Sequence, residues 1–207
     1  MKHRTPLLLL SGILLLAGCA DLDVFTPMPD ASTFYILGRQ GFENNPPARL
    51  EDGTAILVGP VRIAQHLEQP RIVSYGGANQ LHYSDLHRWG EPLEEGVNRI
   101  LLRRLSGELM TSRVTLSSVA PDLDWDYRIG YEVRELGGAP AEPVHLQVAW
   151  WVRTKNGGIA SYQTTLQSDP LAKGSLDYAA YVWTIESLLS QWADEVAAAV
   201  RELPSGD

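Results

Sequence analysis

The side chains with chemical potential in this sequence are one cysteine, five histidines, and a cluster of acids and arginines near the middle of the chain. Cys19 closes the run Leu16-Ala17-Gly18-Cys19, behind the basic start Met1-Lys2-His3-Arg4 and an apolar stretch from Pro6 to Ala17. A single thiol cannot form an internal disulfide or supply a four-thiolate zinc or iron-sulfur site. In this position it has the pattern of a bacterial lipobox, in which small residues admit the signal peptidase and the thiol is made into a diacylglyceryl thioether. The bland alternative is a small-residue cleavage site that happens to contain a cysteine.

His82, Asp85 and His87 could in principle ligate a metal or form an acid-base pair. A separation of five does not put His82 and His87 on one helical face, and the segment reads as a strand running off into a loop. These residues are therefore expected to be polar surface or loop-packing groups, and no metal is expected. Glu91, Glu94 and Glu95 could suggest carboxylate catalysis, but they stand where a helix start favours negative charge. Arg99, Arg103 and Arg104 could hold a phosphate headgroup, although Glu95 to Arg99 is a favourable helical pair and the other two read as the C-terminal end. Gly76-Gly77, Gly137-Gly138 and Gly157-Gly158 lack the lysine and helix of a phosphate loop and read as turns. No G-x-S-x-G elbow is present. The sequence thus offers no catalytic constellation and no cofactor site, and a non-enzymatic protein is expected.

Charge and composition narrow the class further. The 207 residues carry 17 Lys+Arg against 25 Asp+Glu, a net charge of −8, without a sustained basic run. That balance argues against nucleic acid, whose phosphates need a positive footprint. An apolar fraction of 44% and six tryptophans supply a core, so the chain should fold, as one domain.

The elements that must position these residues follow from periodicity. Thr33 to Gly38 and Thr54 to Ile63 read as strands, with Gly59-Pro60 marking an edge or a bulge in the second. Arg71 to Tyr75 and Gln80 to Ser84 flank a hairpin turn at Gly76 to Asn79. Leu93, Val97, Ile100, Leu101 and Leu105 recur at helical spacing, which predicts a helix from about Pro92 to Ser106, stopped by Gly107. Arg113 to Ser118 is a further strand. Trp125 to Leu136 and Val144 to Thr154 alternate with period two, and Asn156-Gly157 turns the chain into Ile159 to Gln167. Ser175 to Leu203 carries one apolar helical stripe, with Ser175 as its N-cap. Trp150 and Trp151 must face opposite sides of their strand, so Trp151 is covered by a helix or belongs to an interface. The expected fold is α+β, a single domain with a largely antiparallel sheet packed by two main helices.

The organisation expected along the chain is a signal peptide at 1–18, a lipidated tether at 19–31 and a folded domain at 32–204. About twelve apolar residues at about 1.5 Å each fall short of a bilayer core of about 30 Å, so the leader is not a lasting transmembrane span. Ala20, rather than an aspartate, follows Cys19. By resemblance to enteric lipoproteins this implies an outer-membrane anchor facing the periplasm.

Gly59-Pro60-Val61, then Leu67-Glu68-Gln69-Pro70-Arg71-Ile72-Val73, then Ser84-Asp85-Leu86-His87-Arg88-Trp89-Gly90-Glu91-Pro92-Leu93 resemble the PqiC-like family of periplasmic lipoproteins. These are ABC-type transport auxiliary lipoproteins, also described as membrane-integrity-associated transporter subunits. The resemblance runs from Thr33 to the last helix and is densest at His87 to Leu93, while His66 and Gln69-Pro70-Arg71 depart from the family pattern. It implies a dock for an MCE-domain membrane protein with its permease and ATPase, in a system carrying lipids or other hydrophobic molecules between membranes. It also implies that His87, Arg88, Trp89, Glu91, Pro92 and Leu93 form a partner or subunit contact, and it is compatible with a homo-oligomeric ring. The other reading is an accessory lipoprotein of lipopolysaccharide insertion or barrel-protein assembly.

The lipobox reading has a direct test. Cys19→Ser should give a soluble, unprocessed or mislocalised protein on membrane fractionation, and a normal membrane distribution would refute the anchor.

Overall fold

The computed structural model describes residues 31–39, 53–76 and 79–204. The lipobox, the tether before Ala31 and the turn at Gly77-Ala78 lie outside these residues. The described chain from Ser32 onward belongs to one compact unit.

The alternating stretches become strands because one of their faces is continuously apolar. β6 (Tyr127–Gly137), β7 (Pro143–Thr154) and β8 (Ile159–Pro170) form an antiparallel meander. Tyr127, Ile129, Tyr131 and Val133 on β6 share a buried face with Leu146, Val148, Trp150 and Val152 on β7. β2 (Ile56–Ile63) pairs in parallel with β6 on one side and with the short β5 (Val114–Leu116) on the other. The resulting sheet has the order β5-β2-β6-β7-β8. Pro60 therefore sits inside a central strand rather than at an edge. The ladder accommodates its missing N–H by shifting register between Val58 and Val61, at the cis Gly59-Pro60 bond.

A second sheet of order β1-β4-β3 is built from β1 (Thr33–Tyr35), β3 (Arg71–Tyr75) and β4 (Leu81–Trp89). Here the local reading stops too early. The hairpin to β3 is visible in sequence, but β4 continues through His87 to Trp89 because β1 pairs with its far end in parallel, Thr33 opposite His87 and Tyr35 opposite Trp89. The segment from His82 to His87 is strand throughout, not a strand leading into a loop. Both sheets are thus mixed, with the longest ladders antiparallel.

Helices α1 (Leu93–Glu108) and α2 (Tyr178–Glu202) lie over the apolar face of the larger sheet. On α2 the stripe Tyr181, Val182, Ile185, Leu188, Leu189, Trp192, Val196 and Val200 is buried. Each such large apolar side chain contributes about 1.5 to 3 kcal/mol on leaving water. Trp192 meets Tyr131 edge to face at 4.9 Å. Several of the polar groups taken inside are paired, although the Trp192 indole N–H is not. Tyr131 donates to Asn98 Oδ1 at 2.7 Å, and Trp150 Nε1 donates to Thr164 Oγ1 at 3.0 Å, which itself donates to Glu195 at 2.6 Å.

The helix ends differ from the sequence expectation. Asp177, not Ser175, caps α2, its carboxylate accepting from Ala179 N at 2.9 Å and Ala180 N at 3.2 Å. Pro92 is the N-cap of α1 instead of a first-turn residue, and the helix runs through Gly107 to Glu108. The left-handed residue beyond it is Met110, with φ 52°. The last turn of α1 contains no basic residue. Its arginines serve tertiary contacts instead, Arg104 reaching Asp194 of α2 at 3.6 Å.

Replacing Asp177 by alanine should remove about 1 kcal/mol of stability. The urea midpoint should fall while the slope of the transition stays unchanged.

Candidate functional site

The stretch His87 to Leu93 is where the smaller sheet ends and α1 begins. Three backbone bonds fix its course. Trp89 N donates to Pro70 O at 2.8 Å, Gly90 N donates to Tyr35 O at 2.8 Å, and Glu95 N donates to Pro92 O at 3.0 Å. Each draws on a different segment, so the junction forms only when β1, the turn before β3 and α1 are all in place.

The side chains divide into supports and surface. Trp89 and Leu93 are buried and belong to the core. His87 shares a hydrogen bond of 2.9 Å between its Nδ1 and the Tyr35 hydroxyl, and its ring stacks on Tyr178 at 4.0 Å, which ties β4 to the start of α2. Its own N–H donates to Ser84 Oγ at 3.0 Å. His82 and Asp85 are exposed and stand apart from this arrangement. Among the described residues no group of three His, Cys, Asp or Glu could hold a metal ion. Arg88 and Glu91 are half-buried, and Pro92 is exposed at the tip of the junction.

Glu91, just ahead of α1, is paired with Arg99 eight residues on, at 2.5 Å. Arg99 also donates to Leu37 O at 2.6 Å, and Arg103 donates to Gly38 O at 2.9 Å. These two arginines, which sequence suggested for a headgroup or for the helix end, hold the turn after β1 onto α1. The pairing chosen is Glu91 to Arg99 rather than the expected Glu95 to Arg99. The hydrogen bond to Glu91 raises the guanidinium pKa above its ordinary value against the opposing effect of burial. Gly96 explains how close the turn comes, since a Cβ there would lie 2.8 Å from Leu37 Cβ.

Beside the junction is a cavity of about 450 Å³. Ile63, Pro70, Trp89, Pro92 and Leu93 give it apolar walls, while Glu68, Glu91 and Glu94 bring carboxylates to it. Ile63 was not singled out by sequence reasoning, and Pro70 was named only as a departure from the family pattern, because they come from β2 and the segment before β3 and converge on the recess only in three dimensions. Glu94 has its pKa raised chiefly by burial and further by Glu95 and Glu68, with a hydrogen bond from Asn98 opposing. Glu94 and Glu95 add to burial in pushing the Tyr131 hydroxyl well above its usual value. The site is therefore an apolar recess with an acidic rim, a geometry suited to holding an apolar or basic protein segment.

The Glu94 shift has a signed consequence. The folded chain holds this proton more tightly than the unfolded chain, so the penalty appears as pH rises from the ordinary carboxylate value through the raised one. Glu94→Gln should raise the thermal midpoint at pH 7, by less than about 1 kcal/mol after solvent screening, and the gain should vanish in acid where both states are protonated. Thermal denaturation of both proteins across pH measures it.

Solved structures that share this fold include two that cover most of the chain. One is the crystal structure of an uncharacterized protein, 16% identical with a TM-score of 0.63, the match covering 82% of this chain and 98% of that one. The other is protein XCC0632 from Xanthomonas campestris, 17% identical with a TM-score of 0.59, the match covering 80% of this chain and 90% of that one. At these identities the likeness concerns the fold alone. No curated protein matches the chain. Residues 35–197, which span both sheets, the junction and nearly all of α2, match the family described as ABC-type transport auxiliary lipoprotein component. The chain belongs to the ABC-type transport auxiliary lipoprotein family.

Proposed function

We propose that this protein is the lipid-anchored periplasmic component of an MCE-type intermembrane transport system, held at the outer membrane and acting as a dock rather than an enzyme. The observation that carries this reading is the family match over residues 35–197, joined to a cysteine at lipobox spacing ahead of it. In this reading residues 1–18 are removed, Cys19 is acylated, and 19–31 tether the domain. One acyl chain anchors only marginally, whereas the two or more chains of a mature lipoprotein hold firmly. Confinement to a plane raises the effective concentration of the domain for a partner that reaches across the periplasm.

The contact with that partner is assigned to the junction of β4 and α1. Trp89 and Leu93 act from beneath as buried supports, while Gly90 and Pro92 and the mouth of the adjoining recess make the contact. Arg88 and Glu91 flank it. The dock works without cofactor or metal, and a ring of identical subunits is the assembly proposed for it.

Pro92→Arg places charge and bulk at the exposed tip while sparing the buried supports. In mild-detergent purification from membranes, the native lipoprotein should bring down an MCE-domain protein with its permease and ATPase. The variant should lose that association roughly tenfold, with unchanged circular dichroism. Undiminished recovery by the folded variant would remove the junction from the interface. Recovery of lipopolysaccharide-insertion or barrel-assembly components instead would replace the transport assignment.

A further inference from the structure

The face of the five-stranded sheet turned away from the two helices carries a charge pattern that folding alone disfavours. Arg128 on β6 stands directly opposite Arg153 on β7. Like charges at directly opposed positions of an antiparallel pair are destabilising. Among the described residues no carboxylate lies within ion-pair distance of either, or of Arg62 on β2. The nearby acids are otherwise placed. Glu132 pairs with Arg134 at 2.9 Å, Asp124 pairs with Lys155 at 2.8 Å, Asp126 accepts the Ala55 N–H at 2.7 Å, and Glu135 lies past the bulge in β6. In a chain of net charge −8, a cluster of cations is retained here at a cost to stability.

Trp151 occupies the centre of this face. Its neighbour across the ladder is Gly130, where a Cβ would come within 2.4 Å of the indole, so the ring lies flat on the backbone. Arg153 stands 5.7 Å from the centroid of that ring. Arg128 is held by donating Nε–H to Gly59 O at 2.9 Å, which leaves its terminal nitrogens for a ligand. A shallow depression of about 360 Å³ beside the indole is bounded by Pro60, Arg62, Arg134, Ala149 and Trp151, and by Glu132, which stands across the ladder from Arg62 with its carboxylate taken by Arg134.

From this geometry we propose that the open face of the larger sheet is a docking surface for an acidic segment of a partner protein. The guanidinium groups of Arg62, Arg128 and Arg153 take carboxylates, and Trp151 is the apolar anchor between them. Guanidinium forks match carboxylates in a bidentate way, and tryptophan and arginine dominate the energetics of protein contacts. A membrane is the less suited occupant, because the indole lies flat instead of projecting and the chain as a whole repels anionic lipid. The surface is separate from the junction of β4 and α1, so its test does not depend on the transport role.

The test uses the full-length lipidated chain in non-ionic detergent, with a fluorescein-labelled peptide of alternating aspartate and glutamate as probe. Fluorescence anisotropy should show saturable binding that weakens with salt and falls roughly tenfold or more in Arg153→Glu and in Arg62→Glu. Arg153→Glu should at the same time hold or raise the thermal midpoint, since it turns a like-charge pair into an opposite one. Absence of peptide binding, or binding indifferent to both substitutions, overturns the proposal. So does binding of phosphatidylglycerol vesicles through the same arginines without peptide binding. Salt-sensitive self-association lost in Arg153→Glu would make a second copy the occupant and overturn the partner assignment.

Discussion

Burial of the α2 stripe against the inner face of the β6-β7-β8 meander is the constraint around which the molecule is arranged. A sheet with one continuous apolar face cannot leave it in water, and a helix of this length with one apolar stripe has the same difficulty. Their mutual closure places Trp192 on Tyr131 and brings Tyr181 to the point where three elements meet. There the Tyr181 hydroxyl donates to Val73 O of the smaller sheet at 2.9 Å and accepts from Gly138 N at the end of β6 at 3.1 Å. The surrounding burial raises its pKa far beyond the usual tyrosine range, so it remains a neutral donor and acceptor at any working pH. One buried phenol thus registers the smaller sheet against the larger.

The junction of β4 and α1 inherits its rigidity from that arrangement. His87 stacks on Tyr178, the first residue of α2, and Arg99 and Arg103 fasten the turn after β1 to α1. A recess on such a base can keep its shape without paying ordering entropy when something enters it, which favours recognition. The residues densest in the family-like stretch prove to be of two kinds, and Trp89 and Leu93 belong to packing more than to contact. Their presence in a motif follows from the need to turn a strand into a helix at a fixed angle.

The two faces of the larger sheet follow opposite logics. On the inner face Tyr131 and Trp150 have hydrogen-bond partners, the indole N–H of Trp192 is buried without one, and the side chains are there for packing. On the outer face cations stand opposite one another and an indole lies over a glycine, choices that stability alone would not select. Trp150 and Trp151, adjacent in sequence, fall on these two sides. Trp150 is buried and bonded to Thr164, while over Trp151 no helix packs among the described residues.

Elements with local, strongly periodic signals are legible in the residue order alone: the three long strands, the hairpin at Asn156-Gly157, and both helices to within a few residues. That order also carried the lipobox pattern and the family-like stretch, because those are linear arrangements of residue types. The division of the strands between two sheets emerges from long-range pairing. The pairings of β1 with β4 and of β2 with β5 and β6 are parallel and join residues far apart in the chain, and no local period encodes such partners. For the same reason the capping carboxylate of Asp177, the choice of Glu91 over Glu95 for Arg99, and the opposition of Arg128 to Arg153 were settled by which side chains the finished backbone brings within reach.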